Sequence, residues 1–197
     1  MIRRFVKLAR TAEVFVWGTI ARLQFKLRGA VWPKGFIVRG PLGLTCLGRL
    51  IIGKNVVINS LCKFNRAGIN HPTQFVVGAE SVLEIGENTG ISGAVIYCAE
   101  AISIGSYVLV GANCKIYDTD FHPLDHMRRR SSARPVTAPV YIEDDVWLGA
   151  DVVVLKGVTI GARSVIAARS VVTHNIPPDT LAAGVPAKPI RSLLGGN

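Results

Sequence analysis

A chain of 197 residues is long enough for one domain with a small appendage and a substantial core. Nearly half of it is apolar but only 7% is aromatic, which calls for a narrow core of Ile, Val, Leu and Ala, and no apolar run approaches the roughly 20 residues needed to span a bilayer. The net charge of +10 fits an anionic partner, but no aromatic-basic platform or binding motif points to nucleic acid, and four cysteines without a CxxC pair signal neither a zinc knuckle nor a disulfide framework.

Residues 1–30 carry Arg3, Arg4, Lys7, Arg10, Arg22, Lys26 and Arg28 against Glu13 alone. Phe5, Ala9, Ala12, Val16, Ile20, Leu23 and Leu27 recur at three- and four-residue spacing, so a basic amphipathic helix is expected. Its apolar side either makes peripheral contact with an anionic membrane or packs on the body or a partner subunit. With no convincing cleavage site after Val14–Ala21, the chain reads as cytoplasmic, with Cys46, Cys62, Cys98 and Cys114 as buried reduced thiols.

Pro33, Gly35, Gly40, Pro41 and Gly43 mark a loop-rich lead-in that caps the next segment. A branched apolar residue then recurs in one phase at Ile52 and Ile58, at Ile85 and Ile91, and at Ile104, Val110 and Ile116, with 65–73 read as a loop. The phase resumes at Ile142 and runs through Leu148, Val154, Ile160, Ile166 and Val172.

Residues six apart on a helix point about 240° apart and form no stripe, which rejects a helix. Val146, Val152, Val158, Ser164, Ser170 and Ile176 form a second inward set, while the position between the two sets is Asp144, Ala150, Lys156, Ala162, Ala168 and His174. A strand that turns a corner every six residues explains this, because the corner cannot bury a large side chain. Three sides close one coil, and stacked coils pair as parallel strands about 4.8 Å apart. Composition alone also allows a β-sandwich; the unbroken phase argues against it. The expected layout is an N-terminal helix over 1–30, a β-helix over 31–176 and a tail over 177–197 in which a Gly-Val-Pro turn leads into a short helical end.

The phase fails over 118–139. "DTDFHPLDHMRRRSSARPVTAP" carries four arginines, three prolines and two histidines and must project as a loop, the usual carrier of binding and catalytic groups. In it His122 stands near Asp118 and Asp120, and imidazole beside a carboxylate suits general-base work near neutral pH. Either aspartate is a candidate to orient the ring, Asp120 slightly favoured.

"DTDFHP", "VWLGADVVVLKGVTIGARSVIAARSVVT" and "IPPDTLAAGVPAKPIR" together resemble the hexapeptide-repeat acyltransferases, particularly the maltose and galactoside O-acetyltransferases, over roughly residues 85–191. The resemblance implies an all-β fold, a left-handed parallel β-helix, and an acetyl-CoA-dependent O-acetyltransferase acting on a sugar or polysaccharide precursor, small or lipid-linked. It also implies a homotrimer with sites between subunits and no metal. By the same resemblance His122 is the base, and coenzyme A contacts fall on Trp147, which faces outward by phase, and on Ala150, Ala168, Thr173, Lys188 and Arg191. His71, Ser92 and His126 are candidates for the acceptor side. Two departures stand out: His174 where the galactoside enzymes have lysine, and Ser92 where they have asparagine. Competing readings are a zinc enzyme like the gamma-class carbonic anhydrases, drawing on His122 and His126 with His71 or His174, and a non-catalytic scaffold.

Overall fold

The computed structural model describes residues 2–131 and 133–194, with side chains described from Thr11 onward; expectations for the side chains of Arg3, Arg4, Phe5, Lys7, Ala9 and Arg10 lie outside the described residues. A 26-residue helix, α1 (Ile2–Leu27), leads into a three-faced prism of short strands. The first face runs Ile37–Arg39, Val57–Asn59, Gly90–Ser92, Leu109–Val110, Trp147–Leu148 and Val165–Ile166, extended at its far end by Thr180–Gly184 and Ala187–Ser192. The second is Gly43–Cys46, Gln74–Val77, Val95–Cys98, Lys115–Tyr117, Val153–Val154 and Val171–Val172. The third is Arg49–Ile52, Val82–Ile85, Ala101–Ile104, Val140–Ile142 and Thr159–Ile160. Successive strands as far as Val171–Val172 visit the three faces in turn, which makes a parallel β-helix, and its coil is left-handed.

The hexad phase sets this architecture directly. In the upper coils Trp147 pairs with Val165, Val153 with Val171 and Tyr141 with Thr159, each partner one eighteen-residue turn away. Ile104, Ile116, Ile142, Leu148, Val154, Ile160, Ile166 and Val172 point inward at 2% exposure or less, each such side chain contributing about 1.5–3 kcal/mol. The second inward set is buried as well, including Ser164 and Ser170, whose hydroxyls bind backbone at the edge: Ser164 donates to the Pro177 carbonyl at 2.8 Å.

The edges explain the intervening residues. Asp145, Asp151, Gly157, Arg163 and Arg169 have φ between 59° and 76°, one left-handed residue per edge at the six-residue period. The glycines after Ile104, Leu148 and Ile160 answer a different need, because backbones stack directly on one another there. A Cβ on Gly149 would stand 2.6 Å from the Ala168 nitrogen.

Coils begin within the loop-rich lead-in itself. The lead-in already contributes Ile37–Arg39 and Gly43–Cys46 to the sheets, with Val38 aligned on Ile58. Two insertions open the prism: 60–73 at the edge between first and second faces, and 118–139 at the edge between second and third. Among the described residues the tail holds no helix. Thr180–Gly184 and Ala187–Ser192 form an antiparallel hairpin on the first face, held below by Arg163, whose guanidinium grips Asp179 at 2.6 Å through two nitrogens and holds that carboxyl below its usual range. Among the described residues no helix is long and apolar enough to cross a membrane.

The cysteines divide. Cys98 and Cys114 are buried, Cys46 is half-buried and Cys62 is exposed, against the expectation of four buried thiols. Burial pushes the Cys98 and Cys114 thiols up to about 12. Their neutral forms stabilise the fold below the ordinary thiol value of 9.0, a contribution lost as pH climbs towards about 12. In the native protein a thiol reagent should therefore label Cys62 first and leave Cys98 and Cys114 intact until the chain unfolds; mass spectrometry of tryptic peptides reads the order, and early labelling of Cys114 would contradict it.

Candidate active site

The loop of 118–139 leaves the second face directly after Tyr117 and is tied at its root. Asp118 is fully buried, and its two carboxylate oxygens accept from the Ala99 and Glu100 amides at 2.7 Å each, one coil below. The two legs then run antiparallel: Thr119 bridges Thr137, the Asp120 amide donates to the Val136 carbonyl at 3.1 Å, and Ala138 returns a bond to Asp118. Further out a short helix, α2 (His126–Arg129), is capped by Asp125, whose side chain accepts from the Arg128 amide at 2.8 Å.

Phe121 is where this stalk is forced. Its φ of 62° is costly for a bulky residue, about 1–2 kcal/mol, and it lies at none of the regular corners. Two contacts hold it there. Its amide donates to the Thr119 hydroxyl at 3.2 Å, and its ring lies edge-on to Tyr97 and Tyr117, centroids 4.7 and 5.1 Å away, on adjacent strands of the second face. The next residue, His122, donates its amide to the Asp120 carbonyl at 2.7 Å and turns its imidazole into solvent. Sequence reasoning missed Phe121, Tyr97 and Tyr117; the outward phase of both tyrosines was the available signal.

The orienting aspartate differs from expectation. Asp118 is spent on backbone amides beneath the loop. Asp120 faces Lys156 of the next coil, with 3.4 Å between Nζ and carboxylate. Among the described residues no hydrogen bond joins the His122 ring to either. Lys156 thus ties the loop down from above as Asp118 does from below.

Other candidates fall in two groups. Trp147 stands out from the first face, 52% exposed, as its phase requires. Ala150 and Ala168 stack one coil apart at the edge between first and second faces, where the Arg169 amide donates to the Ala150 carbonyl at 2.8 Å. Lys188 and Arg191 are exposed on the terminal hairpin of the same first face. Thr173 lies instead at the edge between second and third faces, with its hydroxyl 2.7 Å from His174 Nδ1. His174 therefore engages its neighbour where the resemblance expects a lysine free to meet phosphate.

His71 and Ser92 come together under the loop of 60–73. The Ser92 hydroxyl is buried and accepts from Asn65 at 2.9 Å and Asn59 at 3.3 Å. Asn113, also buried, pins the same loop through the Asn70 amide and the Gly68 carbonyl. Ser92 is thus a structural tie rather than an open acceptor contact within this chain. His71 bonds the Pro72 carbonyl at 3.1 Å, and His126 is exposed on α2. Among the described residues no three His, Cys, Asp or Glu side chains converge as a metal site, and His71 and His122 stand at opposite edges of the second face.

Hexad coils closed every eighteen residues and interrupted by two histidine-bearing loops define a hexapeptide-repeat β-helix protein. The profile of the family described as "Bacterial transferase hexapeptide (six repeats)" matches residues 139–174. A galactoside O-acetyltransferase of Lactococcus lactis is 36% identical over 154 residues, covering 66% of this chain and 73% of that one. A second, of Escherichia coli, is 42% identical over 92 residues, 47% of this chain and 44% of that one, so the match spans under half the length of that relative. A crystal structure of a hexapeptide-repeat acetyltransferase from Vibrio cholerae complexed with acetyl-coenzyme A matches with a TM-score of 0.56 at 30% identity, over 91% of this chain and 87% of that chain. The chain belongs to the hexapeptide-repeat acetyltransferase family.

Proposed function

We propose that this chain transfers an acetyl group from acetyl-coenzyme A to a hydroxyl of a sugar or polysaccharide precursor, with His122 as the base. The observation that carries the reading is an imidazole exposed on a strained turn anchored from three sides: Asp118 below, Lys156 above and the tyrosine pair beneath Phe121. Unlike Tyr107, Arg163 and Arg169, Phe121 holds its positive φ away from the regular corners, and strain of that kind clusters at functional turns.

His122 takes the proton from the acceptor hydroxyl as its oxygen attacks the thioester carbonyl carbon. The tetrahedral adduct collapses, the carbon–sulfur bond breaks, and the proton held by His122 returns to the leaving sulfur. The products are an acetyl ester and free coenzyme A. A thiol with an ordinary value near 8.5 leaves with little acid assistance, so one base and good positioning suffice. Trp147, Ala150, Ala168, Lys188 and Arg191 offer the donor a stacking face, a small-residue edge and cations for phosphate along one face.

His122 and these donor candidates sit on different sides of the second face, roughly 15 Å of strand apart. This supports a site shared between copies in a homotrimer, one chain supplying the loop and its neighbour the first face; light scattering on the purified protein tests the mass. The basic N-terminal helix supports a lipid-linked acceptor at a membrane surface. Among the described residues the zinc reading lacks a converging set of ligands, and the scaffold reading leaves the strain at Phe121 unexplained.

The decisive experiment offers purified protein acetyl-coenzyme A with a panel of sugars, nucleotide sugars and lipid-linked sugars and measures thiol release. Acceptor-dependent release is expected. Its absence across the panel would overturn the hydroxyl acceptor, and release only on amino sugars offered alongside would replace it by an amino one.

Phe121→Ala removes the ring that seats the loop and should lower kcat by roughly 10- to 100-fold while KM for acetyl-coenzyme A stays within about two-fold. Phe121→Tyr should restore most of the rate. Equal kinetics for wild type and Phe121→Ala would show that the aromatic seat does not position His122.

A further inference from the structure

Among the described side chains α1 buries apolar residues on the prism through one side, and Glu13 reaches Lys63 of the 60–73 insertion. Ala21 and Phe25 are buried, Phe25 lying 5.4 Å from the rings of both Trp32 and Phe36. The opposite side turns Phe15, Val16, Ile20, Leu23 and Leu27 to solvent, between 43% and 75% exposed. At 100° per residue Ala12, Val16, Ile20, Leu23 and Leu27 fall within about 80° of arc, so they form one stripe running for about four turns. A stripe of this size left in water is unusual for a soluble surface and marks a contact.

Charge identifies the occupant. Lys26 is exposed beside the stripe, Arg22 and Arg28 are exposed further round the helix, with Arg22 over the Trp32 ring, and the sequence ahead of it adds Arg3, Arg4, Lys7 and Arg10. Glu13, the sole acid among the first thirty residues, is already paired with Lys63. A second copy docking stripe to stripe would bring two such cationic helices together, which like charge opposes. An anionic bilayer relieves both problems, taking the apolar stripe into its acyl boundary and the cations among its headgroups.

We propose that the exposed side of α1 docks on an anionic phospholipid surface, holding the prism against the membrane. The docking stands on the helix itself; only the lipid-linked nature of the acceptor rests on the acetyl-transfer reading.

Full-length protein is sedimented with vesicles of phosphatidylcholine alone or with about 30% phosphatidylglycerol. Partition onto the anionic vesicles should exceed that onto neutral ones by about ten-fold or more, and should fall as salt rises. The double variant Ile20→Glu, Leu23→Glu leaves Ala21 and Phe25 in place and should lose about ten-fold in partition with its circular dichroism and assembly mass unchanged. Equal partition onto both vesicle types, or undiminished partition of the variant, would overturn the proposal. So would a wild type that ignores vesicles while the variant changes assembly mass, which would make the stripe a subunit contact. Turnover of soluble sugars should be the same in both proteins. Vesicle binding without acetyl transfer to any sugar would end the reaction proposed above and leave the docking standing.

Discussion

Replacing His122 with alanine is expected to lower acetyl transfer by roughly 100- to 10,000-fold, the span a positioned general base contributes. Stability should hardly change. The imidazole is exposed, its ring makes no hydrogen bond among the described residues, and surface substitutions of that kind usually stay within about 0.5 kcal/mol. The loop root stays tied by Asp118 and its flank by Lys156, so the variant should also keep the assembly mass of the wild type. Initial rates at saturating donor and acceptor, together with thermal melts, make the comparison. A variant retaining more than about a tenth of the wild-type rate would place the base elsewhere. His126 on α2 would be the first alternative to test.

Asp118→Ala should produce the largest stability loss of any single change in the loop. Both carboxylate oxygens accept backbone amides at 2.7 Å in a fully buried setting, and such charge-assisted bonds contribute about 1.5–3 kcal/mol each. Alanine leaves the Ala99 and Glu100 amides without an acceptor, so a cost of about 3–5 kcal/mol and a drop of about 10 °C in Tm are expected. Asp118→Asn keeps one acceptor oxygen but turns a donor towards the other amide, and should fall between alanine and wild type. Calorimetry settles the order. A Tm within about 2 °C of wild type for the alanine variant would mean that water or a shifted backbone satisfies these amides.

The two predictions separate roles that adjacency in sequence had merged. Three ionisable residues within "DTDFH" invited one catalytic constellation, with either aspartate orienting the histidine. In the structure each does something different: Asp118 roots the loop in the coil below, Asp120 meets Lys156 in the coil above, and His122 is aimed by the backbone of Phe121. Nothing local in the sequence separates these roles, because Ala99, Glu100 and Lys156 lie 18 to 36 residues away from the aspartates they meet. The same distance hid the seat of Phe121. Tyr97 and Tyr117 become neighbours only through coil stacking, in a register offset by two residues from a regular eighteen. The tail misled for another reason. "AAGVPAKPI" is consistent with a turn before a short helix, but the open edge of Val165–Ile166 offers Thr180–Gly184 unpaired backbone groups, and sheet extension satisfies them.

The sequence by itself determined the coil: its period, its inward residues, its corners, the outward direction of Trp147 and the place where the repeat fails. These follow from a spacing that local sterics and burial enforce at every step, so each hexad repeats the same instruction. Tertiary structure alone decided which aspartate is structural, what seats His122, how Ser92 is used, and which side of α1 is left bare. Those outcomes depend on which coils stack and how the two insertions shift them. A periodic pattern carries the phase of each side chain but not the identity of its neighbour one coil away.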